Sequence, residues 1–398
     1  MKNFNLCKEI RELRNQLSYS KNIGFFFGAG TSCSVGIPNI KQLTIDAQKL
    51  LDKDQEDLLR LNENIRTTFT DKTTITIEDI LNHVRQIADI TGGKDDKDYS
   101  GISGATAMKL NNKLCRSIYQ IISEKEEKAN IYSLKRFFTW LNMQNKDYTK
   151  EVFTTNYDLL FERALESIKI PYFDGFVGTF EPFFWQDSVD RELNQGDITK
   201  DWIRIWKLHG SLNWTWKYEN LTMSDRVVRT GKIDKDDDSC ELVIYPSKEK
   251  YSMSRKQPYI VYFDRLRNYL TQGELLFIFS GFSFSDMHIN EIIFNSLIQN
   301  NRLFVIIFLY TDQEVEALSD YASTYINMNV FGPTKAIING ILGEWTYSKD
   351  DLMPSETPDI FWNETDCHFT LGSFNNLVEF LIDNSGKKQL IEDMTNGR

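Results

Sequence analysis

IGFFFGAGTSCSVGIP, residues Ile23 to Pro38, runs an aromatic segment directly into a glycine-rich turn. The apolar run Ile23 to Gly30 is too short for a helix and ends in glycines, which predicts a buried parallel strand. Gly28 and Gly30 permit a tight turn and close approach of backbone to a phosphate. Ala29 lies between them, and Thr31 and Ser32 add hydroxyls where a helix would start, a pattern suited to an anion. Cys33 stands where the common dinucleotide fingerprint has its third glycine. A bare glycine-rich turn is equally a plain strand-to-helix connection. The longer string, closing on Gly36, Ile37 and Pro38, is more specific.

Outward from this turn, strands and helices alternate. Leu6, Ile10, Leu13 and Leu17 predict an amphipathic helix over Phe4 to Leu17. From Gln42 to about Gln144 the pattern is largely helical, interrupted by an exposed loop at Thr91 to Gly104. Strands are expected at Glu151 to Asn156, Ile203 to Gly210, Leu212 to Trp216, Glu241 to Pro246, Leu275 to Phe284 and Leu303 to Tyr310. Helices are expected at Tyr157 to Ile168, Tyr259 to Leu270 and Ile289 to Leu297, and the acidic run Asp234 to Asp238 reads as a loop. The fold class is α/β, a Rossmann-like, mostly parallel sheet. The expected division is a catalytic domain over 1–331, with a helical insertion at about 50–145, and a small C-terminal module over 332–398 with one helix near Phe374 to Ile382.

Composition narrows the function. The 398 residues are 41% hydrophobic and 26% charged, an ordinary globular mix. The net charge of −11 disfavours direct nucleic-acid binding without a local basic patch. The cysteines Cys7, Cys33, Cys115, Cys240 and Cys367 form no CxxC, against a disulfide framework or a four-cysteine zinc module. The charged N-terminus is no signal peptide, and no apolar run is long enough for a membrane span, so a cytoplasmic protein is expected.

Three further segments carry chemistry. TTNYD (Thr154 to Asp158) closes a buried strand, and ligands of parallel sheets lie beyond the carboxyl ends of strands. Asn156 and Asp158 therefore stand where a carboxamide or ribose is held, although Asn156 also suits an N-cap for the next helix. In KLHGSLNW (Lys207 to Trp214), His209 ends another strand as a candidate general base. His83 reads as packed or surface, His368 lies in the weakly patterned tail, and His288 reads as a pocket or helix-start residue. In SGFSFSD (Ser280 to Asp286), Gly281 and Ser283 offer donors to a second phosphate or ribose, or the segment is a turn with a Ser or Asp helix cap.

In order, GAGTSCSVGIPNIK, TTNYD, LHGS and GFS resemble the sirtuin motifs over about Ile23 to Tyr310. The departures are the missing cysteine pairs, with only Cys240 after His209 in that region, and Asn39, Ile40 and Lys41 after the proline. With the long helical insertion, these features resemble the bacterial sirtuin-like antiphage defence family that hydrolyses NAD, closest to the stand-alone partner of a HerA-type hexameric ATPase. The resemblance implies NAD as substrate, no metal, and nicotinamide release leaving ADP-ribose. It implies a carboxamide pocket at Asn156 and Asp158 and a base at His209. Cofactor contacts would come from Gly28, Ala29, Gly30, Thr31, Ser32, Ile37, Pro38, Gly281 and Ser283. The alternatives are a protein deacylase or ADP-ribosyltransferase using the same pocket, or a non-catalytic NAD or ADP-ribose sensor. A homo-oligomer is expected, because the chain carries 27 Phe, 17 Tyr and 8 Trp, and aromatics concentrate in interface cores. The helical stretch from about Leu50 to Gln144 carries no recognisable site and is read as free to make such contacts.

Overall fold

The structure is a computed structural model that describes residues 2–51, 55–68, 74–145, 147–190, 197–217, 226–231, 241–244, 257–354 and 356–397. Among the described residues, ten strands form the main sheet. In chain order they are Lys2–Asn5 (β1), Ile23–Phe27 (β2), Lys150–Thr154 (β3), Tyr172–Phe173 (β4), Ile203–Lys207 (β5), Leu275–Ser280 (β6), Leu303–Phe308 (β7), Met328–Phe331 (β8), Lys335–Ile338 (β9) and Ile341–Thr346 (β10). Their spatial order is β1-β10-β9-β8-β7-β6-β2-β3-β5-β4. All pairings are parallel except β8–β9 and β9–β10. Those two connections are too short for a crossover helix. The β9–β10 turn is made by Asn339 and Gly340, both at positive φ (51° and 75°), as a two-residue hairpin requires.

The aromatic run is explained by the two-residue period of a strand with both faces covered. Ile23, Phe25 and Phe27 enter one hydrophobic cluster, with the helical insertion and the C-terminal helices. Phe26 enters the other, with Phe153, Phe277 and Phe279. Gly24 lies under Tyr269, whose ring would sit 2.6 Å from any added Cβ.

Several boundaries differ from expectation. The first helix is Leu6–Tyr19, capped by Asn5, and the residues before it form edge strand β1. The largely helical stretch resolves into Ile40–Leu50, Gln55–Thr68, Ile77–Thr91, Gly104–Lys128 and Tyr132–Asn142. The loop at 91–104 carries a small hairpin, Asp98–Tyr99 with Ile102–Ser103. Strands Gly210–Lys217 and Glu241–Ile244 do not extend the parallel sheet. They join Arg226–Arg229, Phe183–Phe184 and Phe176–Val177 in a separate antiparallel sheet. Gly210 comes after β5 by two residues, which leaves no room for a crossover. Asp234 to Asp238 lie outside the described residues. Residues 332–397 add β9 and β10 to the main sheet and helices Phe374–Ser385 and Lys388–Thr395. Phe374 packs edge-on against Phe27, with ring centroids 5.5 Å apart.

Candidate functional site

Parallel strands β2, β3, β5, β6 and β7 end on one side of the sheet, and a cavity of about 380 Å³ lies beyond them. That volume falls within the range of small-molecule sites, about 300–1,000 Å³. Its floor comes from the loop after each strand: Ala29, Gly30 and Ser32, then Thr155 to Asp158, His209, Gly281 to Ser283 with Ser285 and Asp286, and Leu309 with Tyr310.

The helix expected from Tyr157 begins only at Leu160. Asn156 is not its N-cap. Its Nδ2 donates instead to the Gly28 carbonyl (3.0 Å) and to Ser32 Oγ (2.8 Å). The carbonyl acceptor fixes which end of the amide is nitrogen. Asn156 Oδ1 is left without a protein partner among the described residues, and the residue lines the cavity. Ser32 Oγ donates in turn to Asp158 Oδ2 at 2.6 Å, and Asp158 Oδ1 accepts from Leu160 N at 3.3 Å. Ser32, Asn156 and Asp158 thus form one buried network joining the first two loops. Beneath it, the buried Lys207 ammonium donates to the Asp158 carbonyl (2.6 Å) and Ser211 Oγ (3.0 Å) and pairs with Glu162 (2.7 Å). Burial pushes the Glu162 carboxyl up, opposed by Lys207.

The glycines serve a different contact from the one expected. Gly28 N donates to the Ser280 carbonyl (3.0 Å) and Gly30 N to the Gly281 carbonyl (2.9 Å). A Cβ on Gly28 would lie 2.3 Å from Gly281 O, and one on Gly281 only 2.5 Å from Thr31 N. The close approach is therefore between two loops of the protein, and the amides of Gly28 and Gly30 are already taken. Thr31, expected to offer its hydroxyl to a ligand, is fully buried and donates to the Ser280 carbonyl at 3.3 Å. All the expected site residues except Gly28 and Thr31 line the cavity: Ala29, Gly30, Ser32, Ile37, Pro38, Asn156, Asp158, His209, Gly281 and Ser283.

Of the lining residues that sequence reasoning did not assign, three make polar contacts that shape the site. Asp286 Oδ2 lies 2.9 Å from His209 Nε2, and its Oδ1 caps helix Met287–Gln299 through His288 N and Ile289 N. An aspartate just before a helical apolar pattern was the available signal, read only as a cap. Phe284, two residues earlier, adopts φ +55°, a conformation that costs a bulky residue about 1–3 kcal/mol. It is held by Asn290, which donates to its carbonyl at 2.6 Å, and by the rings of Phe279 and Phe282. Glu78 and Tyr157 are the other two. Glu78 comes from the helical insertion and accepts from Tyr157 OH at 3.1 Å. Burial, then the Glu78 charge, holds that phenol well above its usual range. Ile122 also lines the cavity, as does Leu43 from helix Ile40–Leu50, so with Glu78 the insertion forms a wall of the site rather than standing apart from it. Cys33 faces the cavity too, its thiol pushed up by burial and by the Asp158 charge. His83 is buried in the insertion, while His288 is exposed and outside the cavity lining.

Among the described residues no cluster of three or more His, Cys, Asp or Glu is placed to hold a metal ion. No described helix is long and apolar enough to cross a membrane.

The family model described as a SIR2-like domain matches residues 150–326, which hold β3 to β7 and the loops carrying Asn156, His209 and Asp286. No curated protein matches the chain. Among solved structures, the chain is similar to a SIR2 homologue in complex with NAD, at 14% identity and a TM-score of 0.37, covering 74% of this chain and 81% of that one. It is similar to a mutant Sir2 homologue in complex with ADP-ribose, at 16% identity and a TM-score of 0.37, covering 74% and 83%. A third similar structure, of a Sir2 enzyme, has 12% identity and a TM-score of 0.35, covering 75% and 85%.

Proposed function

We propose that the chain is an NAD glycohydrolase, cleaving NAD to nicotinamide and ADP-ribose. The observation that carries this reading is the convergence of Asn156, Asp158 and His209 on one cavity at the carboxyl ends of parallel strands, within a segment matched by the SIR2-like domain model. In this reading, Asn156 Oδ1 accepts from the nicotinamide carboxamide. The Asp158 carboxylate and neighbouring oxygens favour the positive charge that develops at the ribose. His209 takes the proton from the attacking water. Gly30, Ser32, Gly281 and Ser283 face the rest of the dinucleotide. With the sirtuin-like resemblance, the activity fits a cytoplasmic antiphage effector that depletes NAD, working as a homo-oligomer beside a HerA-type ATPase.

The test is to incubate the pure chain with NAD, with and without that ATPase, and follow nicotinamide. Release without any protein acceptor is expected. His209→Ala and Asn156→Ala are each expected to stay folded and to lose about 100-fold or more in rate. A folded variant that cleaves NAD at the wild-type rate refutes the role given to that residue. No release under either condition refutes the reading.

A further inference from the structure

The contact between His209 and Asp286 links two loops that are 77 residues apart in sequence. Both side chains are buried, with relative exposures of 7% and 3%. A carboxylate only accepts hydrogen bonds. The ring nitrogen facing Asp286 is Nε2, so the hydrogen resides on Nε2, and in the neutral ring the free electron pair resides on Nδ1. Three features hold this geometry. Asp286 is fixed from behind, because its other oxygen accepts from His288 N (3.0 Å) and Ile289 N (3.4 Å). The left-handed turn at Phe284 directs the chain to that position. The Tyr157 ring lies beside the imidazole, with centroids 6.5 Å apart and planes 33° apart.

We propose that Asp286 is the positioning residue of the site: it locks His209 in the Nε2–H tautomer and makes Nδ1 the nitrogen that accepts the proton. This rests on the NAD-hydrolysing reading above. In the step it serves, the bond between ribose C1′ and the nicotinamide nitrogen breaks, and nicotinamide leaves neutral with the electron pair. The oxygen of water bonds to C1′, and its proton passes to His209 Nδ1 and then to solvent. Asp286 touches none of the reacting atoms and acts only through the imidazole.

Two substitutions separate positioning from helix capping, because Asn and Ser both cap helices well. In Asp286→Asn, the amide oxygen keeps the bonds to His288 N and Ile289 N, which turns the NH₂ towards His209. An NH₂ only donates, so Nε2 must become the acceptor and the proton moves to Nδ1, removing the base. In Asp286→Ser, the hydroxyl can donate or accept and imposes neither tautomer. The expected order of kcat is wild type, then Ser, then Asn. The Asn variant is expected to lose about 100-fold or more with KM little changed. Proton–nitrogen correlation spectra of histidine-labelled protein at about pH 8 read the tautomer without turnover, with His209→Ala assigning the signal. Nε2–H in the wild type and Nδ1–H in Asp286→Asn are expected. Nδ1–H in the wild type, or equal kcat for the Asn and Ser variants, overturns the proposal. A wild type that cleaves no NAD yet shows Nε2–H refutes the NAD reading and still supports the tautomer assignment.

Discussion

Gly281→Ala tests whether the site is built on an interlock of two loops. Gly281 has φ +66°, where an alanine costs about 1 kcal/mol from its Cβ alone. The new Cβ would also lie 2.5 Å from Thr31 N and 2.8 Å from both the Cα and the carbonyl carbon of Gly30. These are backbone atoms, so no side chain can swing away. Overpacking of this kind typically costs a further 1–3 kcal/mol. The expected total is roughly 3 kcal/mol. Gly386→Ala supplies the control: its φ is +64°, yet nothing lies within 4 Å of the added Cβ, so only the backbone penalty of about 1 kcal/mol applies. Urea unfolding monitored by tryptophan fluorescence compares the two. Relief of the clash must part the loop after β6 from the loop after β2, and the second loop carries Ser32, which bonds Asn156 and Asp158. Gly281→Ala is therefore expected to weaken NAD binding as well, which isothermal titration reads. Equal destabilisation by the two substitutions, or unchanged NAD affinity in Gly281→Ala, would refute the interlock.

Glu126 accepts a hydrogen bond from Leu159 N, and burial nevertheless pushes its carboxyl from 4.5 up to about 7. The folded chain keeps this proton after the unfolded chain has released it. Its contribution to stability is therefore full below pH 4.5 and is lost as the pH rises to about 7. Glu126→Gln keeps an acceptor for Leu159 and is expected to flatten the fall in stability between about pH 5 and 7 by on the order of 2 kcal/mol. Unfolding curves of the two proteins with the same slope against pH would show that this carboxyl does not hold the proton. Nicotinamide release is expected to survive strong chelation, and activity that is lost and then restored by adding a metal refutes this. Light scattering is expected to show a homo-oligomer, and a monomer of 46.5 kDa at micromolar concentration refutes it.

The sheet was legible because its strands are covered on both faces. Runs such as Ile23 to Phe27 and Leu303 to Phe308 admit no helical period and no polar side. The loops beyond the strand ends were harder to read, because their side chains override local propensity. Tyr157 to Leu159 read as helix, but the Leu159 amide is taken by Glu126 and the Asp158 carboxylate by Ser32 and Leu160. β1 was invisible for a different reason: its partner is β10, about 340 residues away, and four residues carry no pattern of their own. Long separation in sequence also hid the origin of the site's outer wall. Glu78, Leu43 and Ile122 sit on helices whose periodicity explains their packing, and nothing in that pattern shows that the helices close over the strand ends.

The glycine-rich turn makes a contact different from the one its sequence suggests. Ala29, Gly30 and Ser32 do meet at the cavity, yet Gly28, Gly30 and Gly281 admit one another before they admit any ligand. That changes what the motif demands of the sequence. A phosphate cradle requires free amides, whereas an interlock requires small residues on both loops at once. GAG and SGF are then a matched pair, and enlarging either one disturbs the other. The interlock also fixes how far apart the chemical groups stand. It seats Ser32 against Asn156 and Asp158, and it sets the start of the loop that delivers Asp286 to His209. The polar groups of the site are thus aligned by backbone contact that no ligand supplies.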